Sequence, residues 1–390
     1  MENDYIILQA ITPSGVKRDA GNKDVAEIKA GPQPVEYQAI TTSLSDKAAA
    51  DAARDPSTLA MSPSMPLQLI TPFESSTAAA PASGGVTWNI QSIGADASDF
   101  TGENTRIAIL DTGIDADHEA FKGVSIVTKN FTDDTEEGDV CGHGTHCAGV
   151  IFGRDVAGTR IGIARGVTKA LIGKVISPRS TSGALTKGIN WAVENGAHII
   201  SISLGLDFPA FVQQLEERDV PRNAAISMAL EAYRKNLQLF QTQHKYLMAN
   251  VESNYIQPVI LIAATGNESS RPRYTVAVAP PAAAEGILTV GAVKQENDRL
   301  IIAPFSNTGA TYLAPGVNIL SAKAGGGLIS KDGTSMAAPH VAGVAALWAG
   351  RMISGGKLTR ELLIDRLKQE ADGNYGLEAP LIKAPAPLKS

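Results

Sequence analysis

Cysteine is scarce, with only Cys141 and Cys147 in 390 residues. Two thiols cannot build the disulfide framework that staples small secreted folds. A long apolar run is missing too. Nothing approaches the roughly 20 residues needed to cross a bilayer, so no membrane partner is expected. Charge of one sign is also lacking: 34 Lys+Arg against 40 Asp+Glu leave a net −6, without long runs of either. A nucleic-acid partner, which needs a basic stripe for phosphates, is therefore not expected. The opening Met1-Glu2-Asn3-Asp4 has acidic residues where a secretory signal is basic, and the apolar stretch after it is short. A cytoplasmic protein is expected, or a secreted one if a signal lies upstream of this numbering. No internal repeat is found. What is present is a 44% hydrophobic complement, ample for a sizeable core, in a chain long enough for two or three domains.

Composition shifts near residue 85. Residues 1–85 hold 10 acidic and 6 basic side chains, so −4 of the net −6 lies there. They offer a strand at Tyr5–Ile11, a helix at Asp46–Arg54 and an extended element at Leu59–Ile70, interrupted by Pro63 and Pro66. The small residues of Ser75–Gly85 then read as an exposed linker. From Arg106 the pattern is α/β. Strands are expected at Ile107–Leu110, Ala170–Ile176, His198–Leu204, Val259–Ala264 and Ile287–Val293. Helices are expected at Gly183–Glu194, Val220–Asn250 and Met336–Met352. Alternation of this kind predicts a mostly parallel central sheet with helices on both faces. Ligands of such sheets bind outside the carboxyl ends of the strands.

Three segments carry chemistry. Asp111-Thr112-Gly113 ends the first apolar strand, Gly142-His143-Gly144-Thr145-His146 opens one small-residue helix, and Gly333-Thr334-Ser335-Met336 opens another. A serine hydroxyl becomes a competent nucleophile when an imidazole takes its proton, and the imidazole needs a carboxylate to fix its tautomer. A helix start exposes the serine oxygen and supplies backbone N–H groups.

These stretches, with Ser201–Gly205 and Ala263–Glu268 between them, resemble the subtilisin-like serine proteases, whose triad runs Asp, His, Ser along the chain. The resemblance covers about 88–350. It implies an α/β subtilisin-like fold preceded by a small α+β prodomain-like segment. It implies a serine endopeptidase in which Asp111, His143 and Ser335 are catalytic and Asn267 completes the oxyanion hole. Ser203, Leu204 and Gly205, facing Ser182 and Gly183, would hold an extended peptide by strand addition. Glu268 would line the floor or rim of the pocket before the scissile bond, where a carboxylate could favour Lys or Arg or could equally stand solvated and indifferent. The expected partners are a protein or peptide substrate and the chain's own N-terminal segment as an intramolecular inhibitor. The domain reading is a prodomain-like segment at 1–72, a linker with the autocleavage site at 73–86, and a catalytic domain at 87–390. Autocleavage is expected within about Thr71–Gly85.

Other readings compete. A single Asp-Thr-Gly would need a dimer to make an aspartic-protease dyad. Cys141, His143, His146 and Cys147 superficially offer zinc ligands, but four within seven residues is tight for a closed tetrahedral site; no metal site is assigned. Cys141 has no role in either reading. No cofactor is required. Calcium has no clear ligand motif, although Asp115, Asp117, Asp133, Asp134 and Asp139 could make a site. The same acyl-enzyme resolved by an amine would make a peptide ligase or macrocyclase, and a catalytically silent peptide-binding protein is a third class. Finally, 206–257 looks like a helical insertion. Its apolar residues at 226, 229, 230, 233, 237 and 240 follow helical spacing. A surface helix packed on the domain is one reading, and a flap near the cleft or a dimer contact is another.

Overall fold

The structure, a computed structural model, describes residues 2–11, 35–74, 84–136, 138–297 and 299–388. At the N-terminus β1 (Glu2–Ala10), β2 (Tyr37–Ser45) and β3 (Thr58–Pro63) form an antiparallel sheet of order β2-β1-β3, with α1 (Asp46–Arg54) beside it. Ser45 caps α1 by accepting the Ala48 N–H. Ile6 and Leu8, two apart and so on one face of β1, are fully buried. The element expected at Leu59–Ile70 divides in two. β3 stops at Pro63, and β4 (Leu67–Leu69) begins only after Pro66 and pairs elsewhere. Prolines lack the N–H that a continuous ladder needs. Next come β5 (Phe73–Glu74), β6 (Gly85–Val86) and α2 (Trp88–Ser92). The ends of the expected 73–86 linker are thus short strands, β5 on β18 (Leu328–Asp332) and β6 on β9 (Thr159–Arg160). Residues 75–83, where part of the expected cleavage window falls, lie outside the described residues.

The central sheet takes β7 (Arg106–Asp111), β8 (Ser125–Asn130), β10 (Lys169–Lys174), β11 (Ile199–Ile202), β13 (Ile260–Ala264), β14 (Leu288–Glu296), β15 (Arg299–Ile302) and β16 (Tyr312–Pro315). Its order is β15-β14-β13-β11-β7-β10-β8, with β16 also on β14, and every pairing is parallel except β14 with β15. Parallel strands covered on both sides are apolar throughout, and Ile107 to Leu110 are all buried. One face is covered by α3 (His143–Phe152) and α7 (Thr334–Ser354), the other by α4 (Ser182–Glu194) and α6 (Arg222–Glu252). β12 (Leu204–Leu206) leaves the sheet after β11 and pairs with β4. β17 (Ile319–Ala322) pairs with β18, and α8 (Arg360–Glu370) packs on α7.

The insertion consists of α5 (Phe208–Glu216), capped by Asp207 on the Ala210 N–H, and the 31-residue α6. α6 packs on the domain through Leu239, Phe240 and Leu247, and also against β3. Its inner face departs from the expected one: Ile226 and Leu230 are exposed, while Ala225, Ala229, Ala232, Asn236, Gln243 and Asn250 are buried. Of the expected set, Ala229 and Phe240 are buried and Tyr233 and Leu237 pack against the core, so the spacing finds the inner side but misses the alanines and amides that fill most of it.

Candidate active site

Asp111 is the last residue of β7, at the carboxyl edge of the sheet, and His143 is the first of α3. The helix start rests directly on the turn that follows the strand. A Cβ on Gly144 would lie 2.1 Å from the Gly113 carbonyl oxygen, so only glycine permits this approach. His143 Nδ1 and Asp111 Oδ1 are 2.7 Å apart, both side chains being essentially inaccessible. Burial works against the imidazolium, but the adjoining Asp111 charge and the Cys147 thiol outweigh it. The His143 pKa is raised above the ordinary imidazole value. Cys147 Sγ lies 3.9 Å from His143 Nδ1, and burial pushes its own pKa up.

A residue whose part the sequence reading missed braces this pair. Asp139, four positions before His143, is buried and accepts four hydrogen bonds. The donors are Thr112 Oγ1 at 2.7 Å, Gly142 N at 2.8 Å, Thr145 N at 2.7 Å and Thr145 Oγ1 at 2.6 Å. Thr112 Oγ1 in turn accepts the Gly144 N–H at 3.0 Å. One carboxylate therefore caps the open N–H groups of α3 and ties them to the turn after Asp111. The signal was an acidic side chain just ahead of a helix whose N-cap, Gly142, has no side chain. Asp139 is thus fully engaged and does not fit the expected calcium set. Asp115 accepts the Gly325 N–H, and Asp134 pairs with Lys174 at 3.2 Å. Among the described residues, the one group bringing three such ligand atoms within 4.8 Å is Asp111, His143 and Cys147. The zinc reading gains nothing either. Cys141 is exposed, and His146 turns its Nε2 to the Ile319 carbonyl.

Ser335 is the second residue of α7, whose first turn has N–H groups without i−4 partners. Asn267 is oriented from behind: its Oδ1 accepts Thr334 N at 2.8 Å and Thr334 Oγ1 at 2.9 Å, leaving its amide donors to face outward. They meet the protein's own chain. Asn267 Nδ2 donates to the Thr71 carbonyl at 3.1 Å, and Ser335 Oγ donates to the Ile70 carbonyl at 2.9 Å. His143 Nε2 is buried and has no hydrogen-bond partner among the described residues.

Residues 65–74 pass through this site as an extended strand. Leu69, Gln68 and Leu67 oppose Leu204, Gly205 and Leu206, and Ile70 N donates to the Ser203 carbonyl at 3.4 Å. On the other side Leu67 N reaches the Ser180 carbonyl, and Ser182 N reaches the Met65 carbonyl, each at 2.9 Å. Ser203, Leu204, Gly205 and Ser182 therefore all border an extended peptide. Gly183 does not. A Cβ on it would meet Thr41 Oγ1 at 2.8 Å, so it packs under the N-terminal sheet, and the bordering edge is Ser180–Ser182. The shift arises because α4 begins at Ser182, where the chain coils away from the strand. Glu268 is exposed, with Oε2 accepting from Asn307 Nδ2 at 2.6 Å.

A family model described as the subtilase family matches residues 102–376. A subtilisin-like protease of Coccidioides posadasii is 34% identical over 279 residues, 69% of this chain and 56% of that protein. Subtilisin-like protease 1 of Arthroderma gypseum is 34% identical over 281 residues, 69% of this chain and 47% of that protein. The chain spans about half the length of these curated relatives. Among solved structures, a cold-adapted subtilisin-like serine proteinase aligns with 74% of this chain and 92% of its own, at TM-score 0.53 and 27% identity. Fervidolysin from Fervidobacterium pennivorans, a keratinolytic enzyme related to subtilisin, aligns over 98% of this chain and 60% of its own. The TM-score is 0.64, and at 20% identity the likeness is one of fold. An aspartate at a strand end, a histidine and a serine at two helix starts, and a matching model over 102–376 lead to one assignment: the chain belongs to the subtilase family.

Proposed function

We propose that this chain is a serine endopeptidase that hydrolyses peptide bonds through an acyl-enzyme, made as a self-processing zymogen. The observation that carries this reading is a peptide strand lying in the groove with its carbonyls on Ser335 Oγ and Asn267 Nδ2. In the reaction, Ser335 Oγ adds to the carbonyl carbon while its proton passes to His143 Nε2. Asp111 holds the imidazole by Nδ1 and stabilises its charge. The oxyanion is met by Asn267 Nδ2 and the Ser335 N–H, donors fixed before the reaction begins. Collapse breaks the C–N bond, the amine leaves with the proton from His143, and water repeats the sequence on the ester. The N-terminal segment acts as an intramolecular inhibitor in this reading, since its strand fills the groove that a substrate would use.

The test is labelling with a serine-directed fluorophosphonate, followed over time after expression. Wild type is expected to shorten and take up label, while Ser335→Ala stays at full length and unlabelled. A folded, shortened wild type without label would refute the enzyme.

A further inference from the structure

The register of the strand in the groove carries more than occupancy. We infer that the bond cut in self-processing is Ile70–Thr71 and that the enzyme takes substrates with apolar residues at the positions of Leu67 and Ile70. The inference rests on the endopeptidase reading above and specifies its substrate.

Two adjacent carbonyls touch the site, so two bonds compete. Ile70 O lies on Ser335 Oγ, whereas Thr71 O lies on Asn267 Nδ2. The ladder decides between them. Leu67, Gln68 and Leu69 are in step with β12, Ile70 N is held on Ser203 O, and the opposite edge holds Met65 and Leu67. Bringing Thr71 O onto Ser335 would slide all of these by one residue, and a one-residue slip turns every side chain to the other face. The buried set Met65, Leu67 and Ile70 (0, 7 and 4% exposed) would be lost. The bond after Thr71 also has Pro72 as its leaving nitrogen, a tertiary amide without the N–H of an ordinary peptide. Cleavage at Ile70–Thr71 requires that the Ile70 oxygen turn toward Asn267 and that the Ser335 hydroxyl turn its proton from that oxygen to His143 Nε2. Ser335 Oγ then bonds to the Ile70 carbonyl carbon, the Thr71 amine leaves with the proton from His143, and water releases the Ile70 carboxylate.

The surroundings of the strand state its preferences. Ile70 packs into the core beneath α3 and α7, and Leu67 into the core shared with α4 and α6. Leu69 is half-buried beside an open cleft whose walls mix Val140 and Ile176 with Glu136, Lys174 and Arg179, so this position sets no apolar requirement. The position before the bond is therefore enclosed and apolar, and the one preceding it is more open. Glu268, already bonded to Asn307 and exposed, does not convert the first of these into a site for Lys or Arg. On the leaving side the Phe73 ring lies 5.5 Å from Phe305.

The experiment has two arms. Mass analysis of the released N-terminal fragment from wild type is expected to place its C-terminus at Ile70, a position that later trimming of the mature end does not move. In trans, processed enzyme is offered a peptide of sequence Leu-Gln-Leu-Ile-Thr-Pro-Phe and versions with Lys or Asp at the Ile position. Cleavage between Ile and Thr is expected, with kcat/KM lower by roughly 10- to 100-fold for Lys or Asp, the range for losing one buried apolar side chain. A fragment ending anywhere after Ile70 overturns the inference, as does a peptide preference for Lys. Fluorophosphonate labelling accompanying either result leaves the endopeptidase reading standing. Failure of labelling and of all cleavage overturns both.

Discussion

His143 lies under a peptide strand and beside a carboxylate, and Asp111 and Cys147 together favour its imidazolium more than burial disfavours it. A general base must be neutral to accept the Ser335 proton. A raised pKa means that neutrality arrives late as pH rises. The acid limb of kcat/KM should therefore lie above about 6.5, the ordinary imidazole value. Asp111→Asn should move that limb downward and lower kcat by about 10⁴-fold, the size of the corresponding loss in a serine-protease triad. A pH–rate profile on a small ester substrate checks this, and a limb at or below 6.5 in wild type would contradict it. The sequence motifs named Asp111, His143, Ser335 and Asn267 because the chemistry tolerates few alternatives at those places. They could not reveal that Asp139 spends all its lone pairs holding two of those motifs together. A carboxylate with four donors looks, in a sequence, like any other acidic loop residue.

At the scale of elements, α6 sets the hold on the N-terminal segment. Asn236, Gln243 and Asn250 recur every seven residues, about two turns, and make one buried polar stripe. Asn236 Nδ2 donates to Pro63 O at 2.8 Å, and Gln243 Nε2 to Thr186 O at 2.9 Å. Asn250 clasps one backbone unit twice, accepting Val35 N at 2.9 Å and donating to Val35 O at 3.1 Å. Two of these three amides thus bind the segment through its backbone. Asn250→Ala leaves the Val35 groups to water or unpaired, a loss of about 1–3 kcal/mol. The variant should shed its cleaved segment faster, shortening the lag between chain shortening and full peptide hydrolysis. An unchanged lag, with unchanged melting of the Ser335→Ala background, would remove α6 from this role. Five strands of the central sheet, β7, β10, β11, β13 and β14, were legible because both their faces are buried, whereas the edge strand β15, with no fully buried residue, was not. β8 was not, since five of its six residues are exposed at the sheet edge and no apolar run marks it. β16 and β17 are short enough to be read as loop.

For the whole molecule, buried histidines set the response to acid. Burial, aided by Lys331 and His143, drives the His146 pKa down to about 3, and burial drives that of His340 down to about 4. Burial likewise lowers His198 and His244 to about 4, while His143 is raised and opposes the trend. In the unfolded chain a histidine titrates near 6.5. Below that pH the unfolded state binds protons that the folded state refuses, so stability present above about 6.5 is lost as pH falls toward 4. The slope is about 1.4 kcal/mol per pH unit for each fully buried, unopposed histidine. Urea midpoints of Ser335→Ala should therefore drop between pH 7 and pH 5, and His340→Gln should flatten the drop. A midpoint that holds steady or rises would contradict the assignment.

The sequence by itself determined the α/β alternation, the family resemblance and the reactive residue types, because periodic burial and catalytic chemistry both constrain residues locally. Tertiary structure alone decided which residues of the N-terminal segment lie in the groove, and in what register. Residues 65–74 contain two prolines and no regular period, so nothing local distinguishes them from a connecting arm. Their conformation comes from two borders far away in the chain, Ser180–Ser182 and Ser203–Leu206, whose free backbone groups demand a strand between them. The scarcity of cysteine is sharpened in the same way. Of the two thiols, Cys147 is sealed beside His143, as the resemblance implies, and Cys141 lies exposed at the edge of the cleft, a position that only packing could assign.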